Sequence, residues 1–195
     1  MKKFFMIIFS LLYVLITTAI GFAQSSPDVL LDISGSMAPF AQKLTEISHQ
    51  ILKKFPDSKL FLFNNTVHVI SVPEKLGKLI QPRGGTDFAL VFEKVYKESA
   101  APALILLTDG MPNDEAKAKD KALMVRRRGV KICSCYVGEG KMPQLLLELS
   151  DEFIVSDNIE ASINKCLQGL KARGVIVEPS REVDIEGLAK SFEFK

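Results

Sequence analysis

DVLLDISGS, residues 28–36, decides how the rest of the chain is read. Its first half is a short apolar run, and its second half is a turn of serine and glycine. A run without polar alternation that stops at such a turn has the form of a strand buried on both faces, as in a parallel sheet. The alternation continues downstream. Residues 38–55 are helical, with Phe40, Leu44, Ile47, Ile51 and Leu52 on one stripe. Pro56-Asp57 stops that helix. KLFLFNN (59–65) and VHVISV (67–72) are strands so close that they form a hairpin. A turn of helix is expected near Glu74 to Ile80, and Thr86 to Glu98 reads as a helix with Phe88, Val91, Phe92 and Val95 inward. PALILLTDG (102–110) is the most apolar strand and the candidate for the sheet centre. Asp114–Arg128 is a helix charged on its outer side, and KICSCYVG (131–138) is a strand. Met142–Ser150 follows as a short helix, FIVSD (153–157) as a strand, and Ile159–Ala172 as a helix closed by Gly174. Strand and helix in turn, with parallel crossovers, give an α/β doubly wound, mostly parallel sheet. The hairpin adds one antiparallel edge strand.

The ends of the chain read differently from its middle. Lys2 and Lys3 precede an apolar run from Phe4 to Ile16, and smaller residues lead to Gly21-Phe22-Ala23. That order describes a signal peptide over residues 1–23, cut after Ala23, so the domain is exported to the periplasm, the cell surface or the medium. The alternative is an uncleaved anchor, because Phe4–Ala23 spans 20 residues, enough to cross a bilayer. In that case the domain still faces outward, and a membrane is a partner only through this segment. The formal net charge of +2 comes entirely from Lys2 and Lys3, since no other charged residue precedes Asp28. Without them acidic and basic residues balance, and no basic excess points to nucleic acid. Residues 28–172 hold the domain. The tail that follows, 173–195, carries too little apolar surface to fold alone and reads as loosely attached from 175 onward.

Three cysteines leave an odd thiol. Cys133 and Cys135 point to the same face of a strand, and Cys166 lies in a helix. Buried free thiols are the simpler expectation. A disulfide from one strand cysteine to Cys166 is the alternative in an oxidising compartment. The C-x-C spacing with no nearby histidine does not suit zinc.

Open α/β sheets bind ligands beyond the carboxyl ends of their strands. Three polar loops fall there: Asp32-Ile33-Ser34-Gly35-Ser36, Gly84-Gly85-Thr86-Asp87 and Thr108-Asp109-Gly110. Asp32, Ser34 and Ser36 alternate, so their side chains can converge at the mouth of the strand. Three hydroxyls and two carboxylates make an all-oxygen site of octahedral type. It suits Mg2+, with Mn2+ or Ca2+ also fitting, and not zinc. The competing reading makes Asp32 and Asp109 helix caps. Asp87, in a first helical turn, is assigned to the helix dipole. Met37, Pro39, Met111 and Pro112 occupy loop positions open to a partner, and Arg83 either steers a carboxylate or is a solvated loop charge.

DISGS, GGT and TDG, in this order and each at the end of its element, resemble the metal-ion-dependent adhesion site of von Willebrand factor A domains. The resemblance covers about residues 28–172. It implies that Ser34, Ser36 and Thr86 bind the metal directly, and that Asp32 and Asp109 act mostly through water. It also implies a sixth position open to an acidic residue of a protein partner. GGTDF-x-x-VF further resembles small bacterial A domains of unassigned role. The expected function is therefore a binding module, with docking inside an envelope or secretion complex as the alternative. A metal-dependent hydrolase finds little support. The histidines, His49 and His68, lie away from the three loops, and neither a G-x-S-x-G elbow nor a phosphate loop occurs.

Overall fold

The computed structural model describes residues 26–73, 76–138 and 144–177. The leader or anchor at 1–23 and the tail from 178 onward lie outside these residues. Among those described, no helix is long and apolar enough to cross a membrane.

Six strands form one sheet: β1 (Asp28–Asp32), β2 (Leu60–Phe63), β3 (Val67–Ile70), β4 (Ala103–Thr108), β5 (Lys131–Tyr136) and β6 (Glu152–Val155). Their spatial order is β3-β2-β1-β4-β5-β6, and every neighbouring pair is parallel except the β2–β3 hairpin. The sheet class expected from the sequence is thus observed, with β3 as the antiparallel edge strand and β1 and β4 at the centre. The helices are α1 (Ala41–Lys54), α2 (Leu76–Leu79), α3 (Phe88–Glu98), α4 (Glu115–Arg126), α5 (Gln144–Leu149) and α6 (Ile159–Ala172). Strand side chains alternate between two cores. Val29, Leu31, Ile105 and Leu107 pack with residues of α1 and α6, whereas Leu30, Leu104 and Leu106 pack with residues of α3, α4 and α5. All five residues of β1 and all six of β4 are buried, which suits their apolar middles, and the aspartate at each end of β1 is met by hydrogen bonds.

Several boundaries differ from the expectation, each for a local reason. Residues 35–40 form a tight 3-10 turn before α1. Pro39 has no N–H to donate to a longer helical bond, and the turn closes through short bonds such as Met37 N–H to Ser34 O at 3.1 Å. This winding tucks Met37 fully into the core, so it offers a partner nothing. Thr86 precedes its helix instead of opening it. Asp87 is the N-cap of α3, its carboxylate accepting the Leu90 N–H at 2.9 Å, so it is structural, as a cap and not only through the dipole. At the end of α6, Val175 and Ile176 pack on the α1/α6 core, so the start of the tail is bound to the domain and not loose.

The expectation of free buried thiols is also corrected. Cys133 and Cys166 form a disulfide joining β5 to α6. Cys135 is free and buried, with its sulfur 3.3 Å from Cys166 Sγ. Burial and then the charge of Glu152 push its thiol up to about 12, which makes it a poor nucleophile.

At the opposite end of β1 from its serine turn, Asp28 is fully buried. Its carboxylate accepts the Lys59 N–H and the Ser99 hydroxyl, both at 2.7 Å, tying β1 to the start of β2 and the end of α3. Burial raises its pKa above the ordinary 3.8, against those two hydrogen bonds and the charge of Lys59.

Two outcomes follow for stability. Cross-linking across a separation of 33 residues stabilises by about 3–4 kcal/mol on loop-closure grounds. Cys166→Ser is expected to lose up to that amount in chemical denaturation and to become insensitive to reductant, while native Cys135 resists alkylation. Asp28 has a folded pKa above its unfolded one, so its contribution is complete below the unfolded value and is lost as pH rises through the folded value. Asp28→Asn keeps both hydrogen bonds once the Ser99 hydroxyl reverses. It is expected to be at least as stable as wild type at neutral pH and to flatten the decline between mildly acidic and neutral pH. Asp28→Ala leaves the partners unpaired and is expected to cost about 1–3 kcal/mol. Thermal denaturation across that pH range reads both.

Candidate metal site

The five residues singled out in the sequence lie on three loops that meet at the carboxyl ends of β1 and β4. Ser34 N–H donates to Asp32 Oδ1 at 2.7 Å, which folds the chain back at the end of β1. Ser34 Oγ and Ser36 Oγ are 3.1 Å apart, and Ser36 Oγ donates to Asp109 Oδ1 at 2.8 Å. The first and third loops are therefore bonded directly. Thr108 Oγ1 donates to Asp32 Oδ2 at 2.6 Å and accepts the Gly110 N–H at 3.1 Å. The second loop is bonded to the first through Gly35 N–H to Gly84 O at 3.0 Å and Arg83 N–H to Ile33 O at 2.9 Å, and it packs against the third at Gly110. A Cβ on that glycine would sit 2.9 Å from Thr86 Oγ1 and 3.6 Å from Asp32 Oδ2. A hydrogen in place of the methyl is what lets the backbone approach both oxygens.

Neither aspartate caps a helix. Ser34 stands at the N-cap of the 3-10 turn without a side-chain capping bond, and Asp114 caps α4. The capping account thus fails for Asp32 and Asp109. Asp32 is fully buried. Burial raises its pKa, hydrogen bonds from Thr108 and Ser34 lower it, and the negative charge of Asp109 raises it further. Asp109 is raised by burial, against the hydrogen bond from Ser36. Among the described residues neither carboxylate has an ion-pair partner. Thr86, only 5% exposed, makes no side-chain hydrogen bond there. Two repelling carboxylates without a counter-charge, beside a hydroxyl with unused lone pairs, fit a hard cation held by oxygen. No cluster of three or more His, Cys, Asp or Glu occurs among the described residues, so any such ion relies on the hydroxyls.

The residues that place these loops are only partly legible in the sequence. Thr108, which the motif alone gives no role, fixes the Asp32 carboxylate. Asn64 and Asn65, which the sequence pattern puts at the end of a strand, hold the second loop. Asn64 Nδ2 donates to Arg83 O at 2.9 Å, and Asn65 Oδ1 accepts the Gly85 N–H at 3.1 Å. Asn113 N–H donates to Thr86 O at 2.9 Å. The signal was present in the Asn-Asn pair at the turn, because asparagines there bond to backbone. Phe88 packs edge-on against Phe63, centroids 5.6 Å apart, and so seats the residue two places after Thr86 on the end of β2. Met111 is 52% exposed beside the site. His49 lies exposed on α1 and His68 exposed on β3.

Residues 20–142 match the family model described as VWA domain containing CoxE-like protein. The chain belongs to that family. Among curated proteins none matches. Solved structures share the fold. Proximal thread matrix protein 1 from the mussel byssus superposes with a TM-score of 0.58 at 17% identity, over 73% of this chain and 45% of its own. The same protein with a zinc-occupied MIDAS motif gives 0.56 at 18%, over 75% and 46%. Manganese-loaded TRAP protein of Plasmodium vivax gives 0.54 at 20%, over 72% of both chains. This VWA chain thus spans under half the length of the mussel protein. At these identities the likeness establishes the fold.

Gly110→Ala tests the convergence of the loops. The added methyl is expected to displace Thr86 and to lower divalent-cation affinity by about tenfold, or 1.4 kcal/mol. Circular dichroism is expected to be unchanged. Calorimetric titration reads the affinity.

Proposed function

We propose that this VWA domain is an exported binding module. It holds a divalent cation through Ser34, Ser36 and Thr86, with Asp32 and Asp109 acting mostly through water. Through that cation it recognises an acidic residue of a protein partner. The observation that carries this reading is the meeting of a buried carboxylate, Asp32, and a half-buried one, Asp109, with three hydroxyls and no counter-charge among the described residues. When bound, the cation supplies a positive centre that a partner's carboxylate can complete. The chain's own residues orient the oxygens, and hydrogen bonds from Thr108 and the Ser34 N–H fix the Asp32 carboxylate.

Magnesium is the ion we assign, because hydroxyls and few fixed charges suit a small hard cation that retains water. Manganese in the Plasmodium protein and zinc in the mussel protein support a divalent ion in general. Zinc at a site of that class also means that oxygen ligands alone are no ground for excluding it here, so it belongs in the test as a competitor. The acid–base set of an enzyme is not assembled around the loops, since both histidines lie elsewhere, and binding is the reading that needs no further group.

Affinity capture in magnesium, repeated in chelator and read by mass spectrometry, identifies the partner. Capture is expected to vanish in chelator and return with magnesium or manganese. Asp32→Ala, Ser34→Ala and Asp109→Ala are expected to weaken magnesium binding with the fold intact, and Thr86→Ala to weaken partner capture from a different loop. Capture that ignores both chelator and Thr86→Ala sinks the metal-bridged reading. Turnover of a small substrate that is lost in Asp32→Ala reverses it in favour of an enzyme. N-terminal sequencing of protein from the producing cell is expected to begin at Gln24; full-length chain in the cytosol refutes export.

A further inference from the structure

We propose that Asn65, in the turn between β2 and β3, is the positioning residue for Thr86. Its side-chain carbonyl fixes the strip of backbone on which the third hydroxyl of the site is mounted. The inference rests on the cation-site reading above.

Residues 83–87 have no regular structure, yet they must hold a hydroxyl in register with two other loops. The ends of the strip are pinned by Asn64, which donates from Nδ2 to Arg83 O at 2.9 Å and accepts the Asp87 N–H on its backbone carbonyl at 3.1 Å. Between these points the hairpin reaches the strip through Asn65 Oδ1, which accepts the Gly85 N–H at 3.1 Å. Asn65 lies across both glycines. A Cβ on Gly84 would stand 3.2 Å from Asn65 Nδ2, and one on Gly85 would stand 3.1 Å from Asn65 Oδ1. Gly84 also has a φ of +74°, which side-chain-bearing residues rarely adopt. At Gly85 the Asn113 carboxamide crowds in from the other side, its Oδ1 3.0 Å from the same Cβ position, so Gly84 makes room for Asn65 alone and Gly85 for both asparagines.

Thr86 Oγ1 has no protein partner among the described residues to set its direction, so its orientation follows from the backbone on either side. On the far side the Asn113 N–H holds Thr86 O. That is a main-chain bond no substitution simply deletes. On the near side, main-chain bonds from Gly35 N–H to Gly84 O at 3.0 Å and from Arg83 N–H to Ile33 O at 2.9 Å hold the start of the strip. The hold next to Thr86, on the Gly85 N–H, comes instead from a side chain, Asn65, which is exposed and contributes no core packing. Removing it should loosen Gly85–Thr86 without loosening the fold. That combination separates a positioning role from a structural one.

The experiment uses the full chain and Mn2+ alone, followed by the electron paramagnetic resonance of the free ion. Asn65→Ala is expected to bind Mn2+ about tenfold more weakly, comparable to the loss of one net hydrogen bond. Its thermal midpoint in chelator is expected to match wild type, and the Gly85 amide to exchange faster. Asn65→Asp keeps the acceptor oxygen. It is expected to restore both affinity and exchange protection at about 0.5 M salt, where a charge that is not in contact is largely screened. If wild type binds no Mn2+, the cation-site reading itself fails. If wild type binds and Asn65→Ala binds equally well, the site stands and the role of Asn65 is refuted. A lowered thermal midpoint in Asn65→Ala, with no rescue by Asn65→Asp, also refutes it, since the residue is then merely structural.

Discussion

The hydrogen bond from Thr108 to Asp32 closes the buried seam between the two central strands, and the site depends on it. β1 and β4 run side by side, so their last residues end at the same level. Thr108 and Asp32 then meet with no solvent between them. A charged group at such a place is costly unless something meets its charge or bonds its oxygens. Here Thr108 bonds one oxygen of the carboxylate, the Ser34 N–H bonds the other, and Asp109 repels the charge. The sheet therefore creates an electrostatic demand at its own centre, and the serines and Thr86 gather around that demand. The fold and the candidate site are coupled at this point: the packing that buries Asp32 is also what leaves its carboxylate without a counter-charge among the described residues.

Most of the sheet was legible because its signals were strong and local. Apolar runs as short as DVLLD and ALILLT can be satisfied only between two helical layers, and two strands separated by one residue can only turn back on themselves. The three loops were legible because strand order places strand ends together regardless of how the helices pack. What resisted reading was whatever depended on a third dimension. Met37 sits in a loop sequence, and nothing in its neighbours says that Pro39 tightens the turn and buries it. Cys133 and Cys135 share a face, so the spacing offers both to Cys166; only the placement of α6 selects Cys133. The asparagines of the hairpin look like ordinary turn residues until the double glycine is seen lying beneath one of them.

The division of labour between neighbouring residues shows how the fold keeps structural and site roles apart. Asp87 follows Thr86 directly, yet its carboxylate turns to the Leu90 N–H and starts a helix, leaving the hydroxyl before it free. Asp114 does the same for α4, which leaves Asp109 and Gly110 without a capping duty. A polar side chain that serves a helix end has its direction set by the helix backbone, whereas one that serves a site must keep its lone pairs aimed at the ligand. Separate caps placed after two of the loops allow both conditions to hold within a few residues.

The disulfide has a consequence that concerns geography. Every residue assigned to the site comes from β1, the strip before α3 or the end of β4, and no cysteine lies in that part of the chain. Cys133 and Cys166 join β5 to α6, on the flank of the sheet that comes after the last site residue. The covalent link therefore starts one strand beyond β4, the last strand whose end contributes to the candidate site. The strands that gather these oxygens, β1 and β4, are held by apolar packing on both faces, and the disulfide reaches them only through the neighbouring β5.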